Sequence, residues 1–254
     1  MAIEPKILTF GTGKIGTVGG NKLMGYRDFL PNQISSCILW LNDDETTKTI
    51  VSGRISEWRD QSGLNNHFTQ TTAVNRPYHV SNYVGTKSAV NFLNSENNFL
   101  DCVFPQLYTQ PNTIITVWNL DVNSTQSAPT VYDRVNIYFG STARNALYWS
   151  SNNISILGNT NVTGYSKTRP FSLISTGVIH NGVNTKIYEN NILKNTVNAG
   201  TGGLSSLRLG NTEVNAVAAG RLSGNIMEQI IYNKSLTDVE LLQINEYLTA
   251  KYVL

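Results

Sequence analysis

The sequence predicts an all-β fold, a sandwich of two antiparallel sheets closed by one C-terminal α-helix, and three observations predict it. Short apolar runs recur at hairpin spacing over most of the chain and alternate with period two. Asn and Gly punctuate these runs, and both tolerate the positive φ that tight hairpins demand. A single amphipathic helical pattern stands at the end, from Leu236 to Tyr252, whereas alternating α/β architectures need several.

Residues 1–35 read differently from the rest. Gly11, Gly13, Gly16, Gly19, Gly20 and Gly25 lie among Ile7, Leu8, Phe10, Ile15, Leu23, Tyr26 and Phe29, and the apolar positions keep no sustained period. Glycine at this density raises the entropic cost of order, which predicts an extended arm. Its apolar residues predict that the arm lies on a surface, its own or a neighbouring subunit's. Gly11-Thr-Gly-Lys-Ile-Gly16 matches the dinucleotide fingerprint in letters only. That chemistry needs a helix starting at the glycines, and Gly19, Gly20 and Gly25 forbid one.

Residues 36–254 are expected to form one domain. Ser36 to Leu41 is a nearly continuous apolar run, as in a strand buried on both sides. Thr113 to Val122 ends in alternation, with Trp118, Leu120 and Val122 on one face and Asn119 and Asp121 on the other. Phe171, Leu173 and Ile179 are expected to share a face in the same way. Hairpins are read at Asn190-Asn191 and through Ser150 to Asn153. In the closing helix Thr237-Asp-Val-Glu240 is a capping box, flanked by Leu236 and Leu241 at staple spacing. Leu241, Ile244, Leu248 and Tyr252, joined by Tyr247, form the stripe that packs on the sandwich.

Composition excludes some functions. Charged residues are 14% of the chain, and 19 basic against 17 acidic side chains leave a formal charge of +2 without a dense basic run. Nucleic-acid binding by counterion release therefore has little to act on. No apolar stretch is long enough to span a bilayer, and the first residues lack a signal-peptide pattern, so the expectation is a protein made in the host cytoplasm. Cys37 and Cys102 each lie in a strand-like stretch, without CxxC or a nearby His. Each reads as a small buried hydrophobe, with one bridge between them as the alternative.

Four segments carry a family likeness: Ile38-Leu-Trp-Leu-Asn-Asp43; Ile55-Ser-Glu-Trp-Arg-Asp-Gln-Ser-Gly-Leu-Asn-Asn66; Lys87-Ser-Ala-Val-Asn-Phe-Leu93; and Gly224 to Tyr232 with its helix. Over residues 36–254 the chain resembles the concanavalin A-like, laminin-G-like jelly-roll domains. These recur in virion proteins of double-stranded DNA viruses, including tailed bacteriophages, and in bacterial surface proteins. The resemblance implies two packed antiparallel sheets of six or seven strands each, but no single activity, because the family includes lectins, glycosidases and inert structural parts.

Retaining glycosidases on this fold carry E-x-D-x-E or E-x-D-x-x-E, and neither spacing occurs here; Glu228 stands alone between Met227 and Gln229. His67, His79 and His180 are scattered, and no hydrolase motif is present, so no enzyme is expected. Trp58, Tyr148 and Trp149 are the candidate sugar-stacking residues, against the commoner role of aromatics as core. Asp43, Asp44 and Asp60 are candidate calcium ligands, as in some laminin-G-like domains, against the commoner role of solvated turn residues. No other cofactor is expected. The reading that results is a non-enzymatic virion structural protein, a capsid-decorating, head or tail component. Its arm, through Ile7, Leu8, Phe10, Ile15, Leu23, Tyr26 and Phe29, attaches to capsid or tail subunits in an oligomeric particle. The alternative is a carbohydrate-binding adhesin that recognises host glycans.

Overall fold

The computed structural model describes residues 17–18, 21–22, 29–124, 127–133, 145–211 and 220–254. Strands β1 (Thr17–Val18) and β2 (Asn21–Lys22) form a small antiparallel pair of their own. The remaining strands, all antiparallel, build two layers. The front layer holds β3 (Cys37–Leu41), β7 (Tyr78–Val84), β8 (Lys87–Phe92), β10 (Asn112–Leu120), β15 (Phe171–His180), β16 (Thr185–Glu189), β17 (Ile192–Val197) and β19 (Gly224–Tyr232). The back layer holds β4 (Lys48–Val51), β5 (Arg54–Trp58), β6 (Phe68–Thr69), β9 (Leu100–Tyr108), β11 (Ser127–Asp133), β12 (Asn145–Ser150), β13 (Asn153–Gly158), β14 (Asn161–Ser166) and β18 (Leu204–Leu209). Among the described residues a single strand pairing, Arg54 with Tyr78, joins the layers at one corner.

Strand β19 organises the front layer. It pairs with β10 along one edge and shares its other edge between β3 and β8. Its side chains enter two separate apolar clusters, as period two requires. Ile226 and Ile231 join Trp118, Leu39, Trp58 and Phe92 between the layers. Ile230 and Tyr232 join Ile115, Val117 and Trp40 on the outer face, beneath helix α1 (Asp238–Tyr252). Each fully enclosed Leu, Ile or Phe contributes about 1.5–3 kcal/mol relative to exposure, so two cores on opposite faces of one sheet explain why β10 and β19 are buried at every position.

The helix forms as its sequence predicts. The Thr237 side chain accepts from the Glu240 amide at 3.3 Å, and the Glu240 carboxylate accepts from the Thr237 amide at 2.9 Å. Leu241, Ile244, Leu248 and Tyr252 are its buried stripe. The expected hairpin turns are present, with Asn190 and Asn191 at φ 46° and 64° and Ser151 and Asn152 at 50° and 63°. Cys37 and Cys102 are free thiols, and burial pushes both up to about 12.

Three expectations are corrected. Val122 does not share the face of Trp118, because β10 ends at Leu120 and leaves it 61% exposed in the following turn. Phe171 faces the inner core while Leu173 and Ile179 face the helix, because β15 carries one extra residue where Trp118 pairs with Ile174 and Leu120 with Phe171. The domain also begins before Ser36. Pro31 and Ile34 are buried, Tyr232 donates to the Pro31 carbonyl at 2.9 Å, and Phe29 meets Tyr247 edge to face. Of the expected arm contacts, Ile7, Leu8, Phe10, Ile15, Leu23 and Tyr26 lie outside the described residues, as does the Gly11 to Gly16 motif.

Gly210 sits at φ +84°, where an added Cβ would lie 2.1 Å from Phe92 Cδ1. Phe92 is fully buried and has nowhere to move. Gly210→Ala should cost about 2–4 kcal/mol, from backbone strain plus overpacking. Gly53→Ala, with φ +75° but open space around it, should cost only about 1 kcal/mol. Equilibrium urea unfolding of the two variants distinguishes the terms, and equal losses would refute the packing argument.

Candidate functional site

A β-bulge creates the site. Val117 on β10 pairs with Glu228, whereas the next residue, Trp118, pairs with Ile226, so Met227 is extra. The insertion moves Glu228 onto the outer face with Val117 and Ile230. There it is fully buried beneath α1. An isolated buried carboxylate would cost many kcal/mol, so partners are obligatory. Glu228 accepts from Trp40 Nε1 at 2.7 Å, Tyr247 OH at 2.8 Å, Tyr252 OH at 2.5 Å and Lys251 Nζ at 2.8 Å. Lys251 and Tyr252 reach on to Asp43, at 2.5 Å and 3.2 Å. Burial alone would lower the Lys251 pKa, but the charges of Glu228 and Asp43 outweigh it and raise it. Burial, followed by the same two carboxylates, raises Tyr252 and Tyr247 well above the usual phenol range.

This network is the floor and one wall of a cleft of about 750 Å³. Phe29, Leu30 and Tyr247 supply its apolar side, Ala250 and Lys251 its helical side, and the loop from Asn42 to Glu45 faces them, with Thr86 and Lys87 closing the end. The loop is fixed from behind. Lys48 Nζ donates to the carbonyls of Asn42 and Asp44 at 3.0 Å each, the Asp44 side chain caps the turn through the Thr46 amide at 2.9 Å, and Trp58 Nε1 donates to the Asn42 carbonyl at 2.8 Å. Burial drives Lys48 down to about 8 although Asp43 and Asp44 pull it upward.

The expected stacking residues are not in this cleft. Trp58 is fully enclosed and Trp149 is only 2% exposed, with its ring nitrogen donating to the Lys167 carbonyl. A ring with no free face cannot stack on a sugar, so both are core residues. Tyr148 is partly exposed on β12, and its hydroxyl donates to Asn161. Among the described residues no group of three or more acidic, His or Cys side chains converges, and the three candidate calcium ligands already have protein partners. Asp43 is taken by Lys251 and Tyr252, and Asp44 by Thr46. Asp60 accepts from the amides of Trp40, Ser62 and Asn66 at 2.8–3.0 Å. The Trp58-x-Asp60-x-Ser62 motif therefore ties its loop to β3. Glu45, Lys87 and Lys251 were not singled out by sequence. The legible signal was Glu228, the one acidic residue of a mostly apolar strand.

No protein-family model matches the chain, and no curated sequence does. Solved structures share its fold. Domain 4 of AbnA, a GH43 extracellular arabinanase from Geobacillus stearothermophilus, in complex with arabinotriose, aligns with TM-score 0.58 and 13% identity over 83% of this chain and 98% of that one. The binding domain of Paraclostridial Mosquitocidal Protein 1 gives 0.57 and 10%, over 83% and 52%. The ligand binding domain of botulinum neurotoxin serotype D, in complex with N-acetylneuraminic acid, gives 0.54 and 15%, over 83% and 50%. The chain thus spans about half the length of the two toxin structures and nearly all of the arabinanase domain. At these identities the likeness shows the β-sandwich fold.

Glu228→Ala leaves a buried ammonium and three other donors facing a void, and should cost about 3–5 kcal/mol by chemical unfolding. A loss below about 1 kcal/mol would mean that the network does not hold the helix. Lys48 gives a pH signature. The folded chain loses this proton near pH 8 and the unfolded chain near 10.5. The unfolded state therefore binds more protons in between, and this group's contribution to stability improves as pH rises. Lys48→Met should remove that improvement, so the melting temperature of the variant relative to wild type should fall between about pH 8 and pH 10.

Proposed function

We propose that this chain is a non-catalytic carbohydrate-binding β-sandwich module, and that it takes a sugar in the cleft beside α1. The cleft carries the reading. Its volume, about 750 Å³, suits an oligosaccharide rather than a single small ion. The rings of Phe29 and Tyr247 offer apolar faces to sugar C–H groups, while Asn42, Asp44, Glu45, Thr86 and Lys87 offer hydrogen bonds to hydroxyls. The fold neighbours solved with arabinotriose and N-acetylneuraminic acid support a glycan as the ligand class.

Catalysis is not part of the proposal because the two central carboxylates are already engaged. Glu228 is fully buried and accepts from four donors, and Asp43 is held by Lys251 and Tyr252. Neither is placed to accept a proton from a substrate. The expected place in a virion, attached through residues 1–35 to capsid or tail subunits, is compatible with this reading. Attachment would then belong to the arm and recognition to the sandwich.

A glycan array followed by titration calorimetry tests the proposal. Phe29→Ala and Lys87→Ala should each weaken the captured glycan about tenfold while leaving the circular-dichroism spectrum unchanged. An array without a signal, or binding indifferent to both variants, would refute it.

A further inference from the structure

We infer that the cleft prefers amine-bearing and neutral sugars and rejects carboxylated ones, an inference that rests on the glycan reading above. The asymmetry lies in which charges are already paired. Lys251 is spent on Glu228 and Asp43, at 2.8 Å and 2.5 Å. Lys87, the more exposed amine, leans toward the other oxygen of Asp43 at 3.7 Å. Lys48 is buried behind the loop, over the Trp58 ring and bonded to two carbonyls. None of these three presents an uncommitted positive charge to the cleft.

The acidic side is the reverse. Asp44 and Glu45 are both exposed at the mouth. The Asp44 carboxylate is bonded to the amide and hydroxyl of Thr46, and these bonds, with lesser contributions from the charges of Lys48 and Lys251, hold its pKa low. Glu45 lies 3.3 Å from His79 Nε2, but burial lowers the His79 pKa more than Glu45 raises it, so the imidazole is uncharged at neutral pH. Two full negative charges therefore border the opening.

A carboxylated sugar entering here meets like charge, while among the described residues the cations at the opening, Lys87 and Lys251, already lie against Asp43 and Glu228. An ammonium on a sugar ring meets two carboxylates and the rings of Phe29 and Tyr247. The favourable pairs are solvent-exposed, so the preference for amine over neutral sugar is modest, while the exclusion of acids is larger.

The test is titration calorimetry of the full chain at low salt with three β-1,4-linked tetrasaccharides, one each of N-acetylglucosamine, glucosamine and glucuronate. The glucosamine oligomer should bind about threefold tighter than the N-acetylated one, and the glucuronate oligomer about tenfold or more weaker. The double variant Asp44→Asn, Glu45→Gln should bring the three affinities within about threefold of one another, whatever the variant's overall affinity. Equal or tighter binding of glucuronate, still lost in Phe29→Ala, would overturn the charge preference and leave the glycan reading standing. An unchanged order of affinities in the double variant would also overturn it. Binding of none of the three would overturn this inference outright, and the array then decides the glycan reading separately.

Discussion

The rest of the structure depends on the compensation of one buried charge. Glu228 lies inside the front layer with no access to water, a position tolerable only if every acceptor site on the carboxylate is filled. Trp40 comes from β3, and Tyr247, Lys251 and Tyr252 come from α1. Satisfying one carboxylate thus requires the first front strand, the last strand and the terminal helix to be in place together. Apolar packing under α1 supplies more free energy, but it is indifferent to small rotations of the helix. Four directed hydrogen bonds are not, and they fix which face of the helix meets the sheet.

The fold was legible because its signals are local. Asn pairs at hairpin turns, the capping box at Thr237 and the apolar runs of β3 and β19 each state a backbone requirement within a few residues. The failures arose where register depends on a partner strand. Nothing in the β15 sequence announces the extra residue that separates Phe171 from Leu173, because a bulge is a property of two paired strands. The same holds for Met227, whose insertion places Glu228 outward. Pro31 and Ile34 were counted with the arm because their burial comes from contacts distant in sequence.

The site was much less legible. Aromatic content pointed to Trp58 and Trp149, yet a large ring gains most from burial, and both are in the core. The motif around Asp60 looked like a site because its residue types are those of a ligand-binding loop. The structure shows three backbone amides consuming that carboxylate. The informative residues are ordinary in sequence. Lys251 and Tyr247 stand four apart on a helix, a spacing that puts them on one face but says nothing of what that face meets. The one sequence signal that bears on the network is Glu228, the only acidic residue of a mostly apolar strand.

The same residues serve stability and the cleft, and this has a consequence for recognition. Lys251 and Asp43 line the opening while also closing the network, and Tyr247 presents its ring on one side while its hydroxyl donates to Glu228. Moving any of them to fit a ligand would leave a buried charge or donor unpaired. The walls are therefore set before a ligand arrives, and less ordering has to accompany binding than at a site built on free loops. Adjustment is confined to the mouth, at Asp44, Glu45, Thr86 and Lys87, whose side chains reach solvent. Shape is accordingly determined by the rigid floor and charge preference by the rim. Variation among chains of this fold would change charge preference at the rim with little effect on folding, whereas variation in the floor would affect both.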